Sequence, residues 1–426
     1  DVARDPWDEI RPVARNPVHP AISLPRELFA PERPNSRGWD LDDSICVSTL
    51  QAEMKPFVTD HWDLTRTQPG VLNGPTMIVR NPAVPGERVG LIRVAATEDI
   101  RRALGQAQEG ARTWGKRAAR ERADILRRAG DLYESHAPEF IALAAREAGK
   151  TLADGVAEVR EAVDFLRYYA SGINGLGKTQ PRGIFICISP WNFPLAIFTG
   201  QVSAALAAGN AVIAKPAEQT PLMALRAAQL LHEAGIPDDV LQCLPGDGAS
   251  VGGALVQSRQ VSGVCFTGST QTAHNIHRTL ASQGNAGAAL IAETGGLNAM
   301  LVDSTALPEQ VVRDIVVSAF QSAGQRCSAL RILYLQEEIR DRVLELLFGA
   351  MDELCLGNPL DLATDVGPLI DVEALKNVQR YCAQHQAKGQ VLKELQAPIH
   401  GHFVAPTVIA VGGIEDLDCE VFGPVL

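Results

Sequence analysis

Apolar residues recur at helical spacing from Ala96 onward, and near Gly183 the period changes to short apolar runs separated by helices. Thr97-Glu98-Asp99 offers a capping residue with acids in the first turn. Helical periodicity then runs over 118–147 with Gly149 as its C-cap, and a further helix is predicted over 153–170. From Gly183 the chain reads strand 184–188, helix 195–208 ended by Gly209-Asn210, strand 211–214, and helix 220–234 stopped by Gly235. Strands 240–244, 263–266 and 289–292 follow, with helical segments between them. Apolar strands alternating with helices predict a parallel sheet covered on both faces, and right-handed crossovers make it a Rossmann-like, doubly wound α/β domain. After Glu293 the alternation restarts, with strands 299–302 and 331–335 and helices 309–322 and 337–354, which predicts a second α/β domain. Residues 1–75 are different: rich in Pro and charge, with little periodicity, they read as a linker carrying a helix near 41–54.

Length and composition narrow the function. A chain of 426 residues, 46% hydrophobic and 21% charged, has room for two or three domains and a sizeable core. Its net charge of −11 disfavours a nucleic-acid partner. No run approaches the roughly 18 apolar residues of a membrane span, and the opening residues do not read as a secretory signal. The first residue is Asp, so a fragment or processed product is expected. Eight cysteines contain no Cys-x-x-Cys, and the nine histidines add no ligand spacing, so no metal site is expected. Cys187, Cys243 and Cys265 lie in apolar runs and read as buried thiols, which suits a reducing cytoplasm.

Cys327 stands apart, in Gly324-Gln325-Arg326-Cys327-Ser328. A thiol in a polar turn is activated by a helix N-terminus or a nearby cation, although packing is the commoner role of a single Cys. Upstream, Glu293 opens Glu293-Thr294-Gly295-Gly296, where two glycines give a carboxylate room to act as a base; a loop-capping charge is the bland alternative. Ser189-Pro190-Trp191-Asn192-Phe193-Pro194 follows strand 184–188, at the carboxyl end where ligands sit in open α/β sheets. Its prolines can hold the Asn192 amide as an oxyanion donor, or Asn192 can simply bond its own turn. Lys215-Pro216-Ala217-Glu218 occupies the same position after the next strand, where Lys and Glu can grip ribose hydroxyls and a carboxylate repels a 2′-phosphate, favouring NAD over NADP. An exposed Lys and a dipole-favoured Glu at a helix start are the alternative there. Phe266-Thr267-Gly268-Ser269-Thr270 ends a strand and opens a helix, which suits a pyrophosphate. The segment 246–252 has one residue too many for the usual dinucleotide fingerprint.

In this order these motifs, with Glu420-Val421-Phe422-Gly423-Pro424, resemble the aldehyde dehydrogenase superfamily over roughly residues 75–426. Residues 146–151, 157–165 and 322–331 look like the dehydrogenase half of the bifunctional proline utilization A enzymes, and 35–41 looks like the segment joining their halves. The resemblance implies a linker-like segment 1–75, an NAD-binding domain with N-terminal helices over 76–292, and an aldehyde dehydrogenase-like catalytic domain over 293–426, whose C-terminal part is expected to be absent. It implies NAD-dependent oxidation of L-glutamate γ-semialdehyde, with Cys327 as nucleophile, Asn192 and the Cys327 N–H holding the oxyanion, and Glu293 activating water. Cofactor contacts would come from Ser189, Pro190, Trp191, Lys215, Glu218, Gly248, Phe266, Gly268, Ser269, Glu420 and Phe422, and substrate contacts from Ser328 and Phe193. The link 171–182 is shorter than the family's hairpin there. FAD is expected only with an upstream proline dehydrogenase half in the same polypeptide, because no flavin barrel motif is visible. Homo-oligomers, a cytoplasmic place and peripheral attachment to the inner membrane are further implications. Other readings are a dehydrogenase for another acidic semialdehyde, such as succinate semialdehyde, and a non-catalytic module of the same fold.

Overall fold

The computed structural model describes residues 22–66, 71–177 and 179–426. Five parallel strands form the central sheet in the order β6-β5-β4-β7-β8: β4 (Ile184–Ile188), β5 (Ala211–Lys215), β6 (Leu241–Cys243), β7 (Val261–Thr267) and β8 (Ala289–Glu293). The order reverses between β4 and β7, so the doubly wound expectation holds and the crevice at that switch point faces the strands' carboxyl ends. β4 and β5 are buried along almost their whole length, as a sheet covered on both faces requires. One core fills the face toward the helices Ala196–Ala207 and Pro221–Glu233 and reaches the helices of 119–172. A second core fills the opposite face, under the helices Thr97–Lys116 and Thr270–Ser282.

Beyond Glu293 the parallel pair β9 (Asn298–Val302) and β10 (Leu330–Leu335) packs against helices Pro308–Phe320 and Glu337–Asp352 around a third core. Helix Val372–Ala387 and the antiparallel pair β11 (Val391–Glu394) and β12 (Thr407–Ile409) complete this half; sequence periodicity did not reveal them. Nor did it reveal the small sheet β1-β3-β2, made of β1 (Trp62–Leu64), β2 (Thr76–Arg80) and β3 (Arg88–Arg93). β1 therefore gives the Pro-rich N-terminal stretch a strand as well as the expected helix, Ser44–Met54.

Three local expectations change. The run 118–147 is two helices, Ala119–Ser135 and Ala137–Ala148, broken at His136 before Pro138. The first long helix begins at Thr97, and its end is satisfied from inside the helix, by Asp99 accepting the Ala96 N–H at 2.8 Å. Glu293 is the last residue of β8 and does not lie beyond it. Cys187, Cys243 and Cys265 are buried and unpaired; Cys187 and Cys265 sit in register on adjacent strands.

Candidate active site

The loop after β4 carries Asn192, and its geometry is set from outside. The helix Ala196–Ala207 has no capping side chain at its own N-cap, Leu195. Glu158, 2% exposed, fills that role by accepting the N–H groups of Leu195 at 3.2 Å and Ala196 at 2.9 Å. Burial raises the Glu158 pKa, opposed by Lys150, whose Nζ lies 3.6 Å away. The next loop repeats the device. Glu147, 1% exposed, accepts from Leu222 at 2.7 Å and Met223 at 2.9 Å at the start of helix Pro221–Glu233, and burial pushes its carboxyl up to about 8. Two buried carboxylates thus hold the two loops that the sequence marked for chemistry.

On the cofactor side, Lys215 ends β5 and is buried, with Glu218 at 3.7 Å. Burial depresses the Lys215 ammonium, and Glu218 and Asp247 oppose that shift. Glu218 also accepts the Gly248 N–H at 2.6 Å, so Lys215, Glu218 and Gly248 form one cluster. Ser189 leaves β4 beside it, its N–H bonded to Lys215 O at 3.2 Å. Phe266 is near the end of β7, and Gly268 donates to Glu293 O at 3.1 Å, which joins the turn after β7 to the end of β8. Ser269 caps helix Thr270–Ser282 by accepting from Thr272 N. Trp191 meets the Phe422 ring edge-on at 5.5 Å between centroids, which brings the β4 loop to the 420–424 segment. Gln201 ties the ends of β4 and β7 by donating to Ile188 O at 3.3 Å and Thr267 Oγ1 at 3.0 Å, and its own buried Oε1 has no partner among the described residues. A buried Lys, an acceptor pair, an orphaned amide oxygen and a helix N-terminus at adjacent strand ends fit a dinucleotide cofactor.

Cys327 is half-buried at the end of a tight turn. Ser322 and Ala323 are both left-handed, with φ of 54° and 53°, a conformation that costs an L-residue about 1–2 kcal/mol. Gly324 continues at φ 66°, where a Cβ would also strike Gly423 O. The turn is held by side chains reaching its backbone. Asn192 donates to Gln325 O at 3.1 Å, and Asn298 donates to Cys327 O at 2.7 Å and Ala329 O at 3.0 Å. Gln325 donates to Ser322 O and Pro368 O, both at 3.1 Å, and accepts from Ile370 N at 2.9 Å. Arg331 donates to Arg326 O at 3.1 Å and Gly423 O at 3.0 Å, and pairs with Glu420 at 3.1 Å. Glu420 rests on the turn after Glu293, so that a Cβ on Gly295 would collide with its carboxylate.

Asn192 and Cys327 therefore share one cluster; the Glu293 side chain is exposed at the end of β8, and among the described residues no hydrogen bond or ion pair joins it to that cluster. Phe193 packs there too, with Lys150 Nζ 4.7 Å and the Arg326 guanidinium 5.8 Å from its ring centroid. Ser328 follows Cys327 directly in the turn. Arg331, Asn298, Lys150, Glu147 and Glu158 were not singled out in the sequence. Asn298, Glu147 and Glu158 bind backbone far away along the chain, Lys150 reaches the side chains of Glu158 and Ser322, and Arg331 holds both nearby Arg326 O and distant Gly423 O; contacts of this kind leave no local signal. Among the described residues no cluster of His, Cys, Asp or Glu could hold a metal ion.

A doubly wound sheet whose strand ends face a side-chain-braced cysteine turn is the frame of a nucleotide-dependent enzyme. The chain belongs to the aldehyde dehydrogenase family, whose sequence model matches residues 72–426. It is 48% identical over 424 residues to the bifunctional protein PutA of Klebsiella aerogenes, covering 96% of this chain and 32% of that protein. It is 35% identical to the 1-pyrroline-5-carboxylate dehydrogenase of Geobacillus thermodenitrificans, covering 85% of this chain and 76% of that one. Among solved structures, a mutant of Bradyrhizobium japonicum proline utilization A superposes with a TM-score of 0.86 at 42% identity, over 99% of this chain and 41% of that one. A Thermus 1-pyrroline-5-carboxylate dehydrogenase with bound NAD gives a TM-score of 0.86 at 29% identity, over 96% and 82%. The chain thus spans about a third of the length of the PutA relative.

Proposed function

We propose that this chain carries the NAD-dependent oxidation of L-glutamate γ-semialdehyde, the open form of 1-pyrroline-5-carboxylate, to glutamate. The observation that carries this reading is the convergence of Asn192, Asn298 and Arg331 on the backbone of the Cys327 turn. Relatives named for 1-pyrroline-5-carboxylate support the substrate.

The chemistry follows from the donors present. The Cys327 sulfur attacks the aldehyde carbon, and the carbonyl oxygen becomes an oxyanion. Asn192 Nδ2 and the Cys327 N–H are the donors for it, and fixed donors in a water-poor cleft are worth more than solvent. NAD, held by Lys215, Glu218, Gly248 and the Ser269 helix start, supplies the hydride acceptor. Trp191, Glu420 and Phe422 would hold the nicotinamide side of NAD, and Ser189, Pro190, Phe266 and Gly268 would contact the rest of the cofactor. Loss of hydride from the tetrahedral adduct leaves a thioester on Cys327. Glu293 takes a proton from water, the hydroxide adds to the thioester carbon, the C–S bond breaks to return the Cys327 thiolate, and the acid is released and ionises to the carboxylate. One aldehyde, one NAD and one water give one carboxylate, one NADH and two protons. Ser328 and Phe193 would meet the substrate's far end.

A relative named a bifunctional protein agrees with a second catalytic unit in the same polypeptide, and FAD would belong there only if that unit is a proline dehydrogenase half. A cytoplasmic place agrees with the reduced thiols. Among the described residues no helix is long and apolar enough to cross a membrane. The test is NADH formation, followed at 340 nm, with glutamate semialdehyde against succinate semialdehyde. A clear preference in kcat/KM for the glutamate-derived aldehyde supports the reading; equal or reversed preference refutes the substrate.

A further inference from the structure

Arg331 has no part in the chemistry set out above, yet it is a buried cation of the cleft with three hydrogen bonds from its two Nη atoms. Its side chain is 3% exposed, and its donors go to two backbone carbonyls and one carboxylate. We propose that Arg331 is a positioning residue for the oxyanion site: by holding the Arg326 carbonyl, it aims and strengthens the Cys327 N–H donor.

The argument is geometric. Arg326 O and the Cys327 N–H belong to the same peptide unit. That unit is planar and trans, so fixing the direction of the C=O fixes the N–H in the opposite direction. Arg331 Nη2 reaches Arg326 O at 3.1 Å, and Ala329 N reaches the same oxygen at 3.1 Å. A carbonyl that accepts from a guanidinium is polarised, and its amide proton becomes a better donor. Among the described residues no acceptor takes the Cys327 N–H, so this donor is presented to the cleft. Asn298 grips the next carbonyl, Cys327 O, at 2.7 Å, which fixes the peptide on the other side of the nucleophile.

The turn also needs such a brace. Its left-handed Ser322 and Ala323 are strained, and a strained segment stays put only when its surroundings over-determine it. Arg331 does this from strand β10, a rigid element, while its other donors tie down Gly423 O and Glu420. One side chain thereby joins the cysteine turn to the Glu420–Phe422 segment. If it served only to neutralise the half-buried Glu420 carboxylate, that pair would suffice and the two carbonyl contacts would be superfluous.

This inference rests on the reading of Cys327 as the nucleophile, and the test separates the two. In the full chain, Cys327 is acylated with 4-nitrophenyl acetate: the sulfur attacks the ester carbonyl, an oxyanion forms, and 4-nitrophenolate leaves. This needs neither NAD nor a semialdehyde. The control is alkylation of Cys327 by iodoacetamide, in which sulfur displaces iodide and no oxyanion forms. For Arg331→Gln, acylation is expected to slow by about 10-fold or more while alkylation stays within about 2-fold of wild type. Arg331→Lys, which keeps the charge and part of the hydrogen bonding, should fall between and serves where the Gln variant does not fold. Equal slowing of both reactions, which a merely collapsed turn would give, overturns the proposal, and so does unchanged acylation. Wild-type acylation at a cysteine other than Cys327 would refute the nucleophile assignment instead.

Discussion

The cofactor-side sheet and the cysteine turn solve the problem of placing a polar group in opposite ways. In the sheet, five parallel strands satisfy one another's backbone, and function sits at their ends. Only the two helix starts beside the β4 and β5 loops need outside help, and two buried carboxylates supply it. The turn has no ladder. Its backbone is strained, and Asn192, Asn298, Gln325 and Arg331 tie down its carbonyls one by one. Regular secondary structure builds a platform that tolerates local change, whereas the turn depends on a few long-range side chains.

That contrast predicts where substitutions hurt. The largest effect is expected from Cys327→Ala, which removes the nucleophile: NADH formation should fall by at least about 10⁴-fold. NAD binding, read by quenching of tryptophan fluorescence, should persist, because the platform is untouched. Loss of both would show that the two regions are not separable. Asn192→Ala comes next, with kcat down about 10²–10³-fold and KM for NAD nearly unchanged. A pure KM effect would move Asn192 from the turn's account to the platform's.

Lys215→Ala inverts the pattern. It removes a buried charged donor from the cofactor cluster, so NAD should bind about 2 kcal/mol more weakly, roughly 30-fold in Kd. Single-turnover chemistry at saturating NAD should stay close to wild type; a large loss there would contradict the division.

The smallest expected effect concerns stability. The Glu147 carboxyl is raised in the folded chain to about 8, while in the unfolded chain it has an ordinary carboxylate value. Between these values the folded state binds the extra proton, so this group's stabilisation is complete below the unfolded pKa and is lost as pH rises through about 8. The slope is at most about 1.4 kcal/mol per pH unit. Urea midpoints from pH 5 to 8.5 should therefore decline in the wild type and flatten in Glu147→Gln. Parallel curves would mean that Glu147 titrates normally.

The same contrast explains what the sequence revealed. β4, β5 and β7 are continuous apolar runs with a Gly or Asn before them or a motif after them, and periodicity located them within a residue or two. Asn192 and Glu293 stood out in the sequence because a motif coincides with a strand end, and Cys327 because a thiol sits in a polar turn. Arg331 was not, although it lies four residues from Cys327: as the second residue of a strand it reads as ordinary surface charge. Glu147 and Glu158 sit in helices with unremarkable spacing, and only the packing of 137–172 against the sheet shows which helix starts they cap. The β11–β12 pair and β1 are three or four residues long, too short for a period to emerge.

The central claim is that Cys327 and Glu293 perform acylation and deacylation in turn. Its most direct test is mass spectrometry of Glu293→Gln after mixing with NAD and glutamate semialdehyde. The account predicts a burst of about one NADH per chain, followed by a slow steady rate, with the acyl adduct located on the peptide that contains Cys327. Unchanged steady turnover with no adduct on that peptide would contradict it.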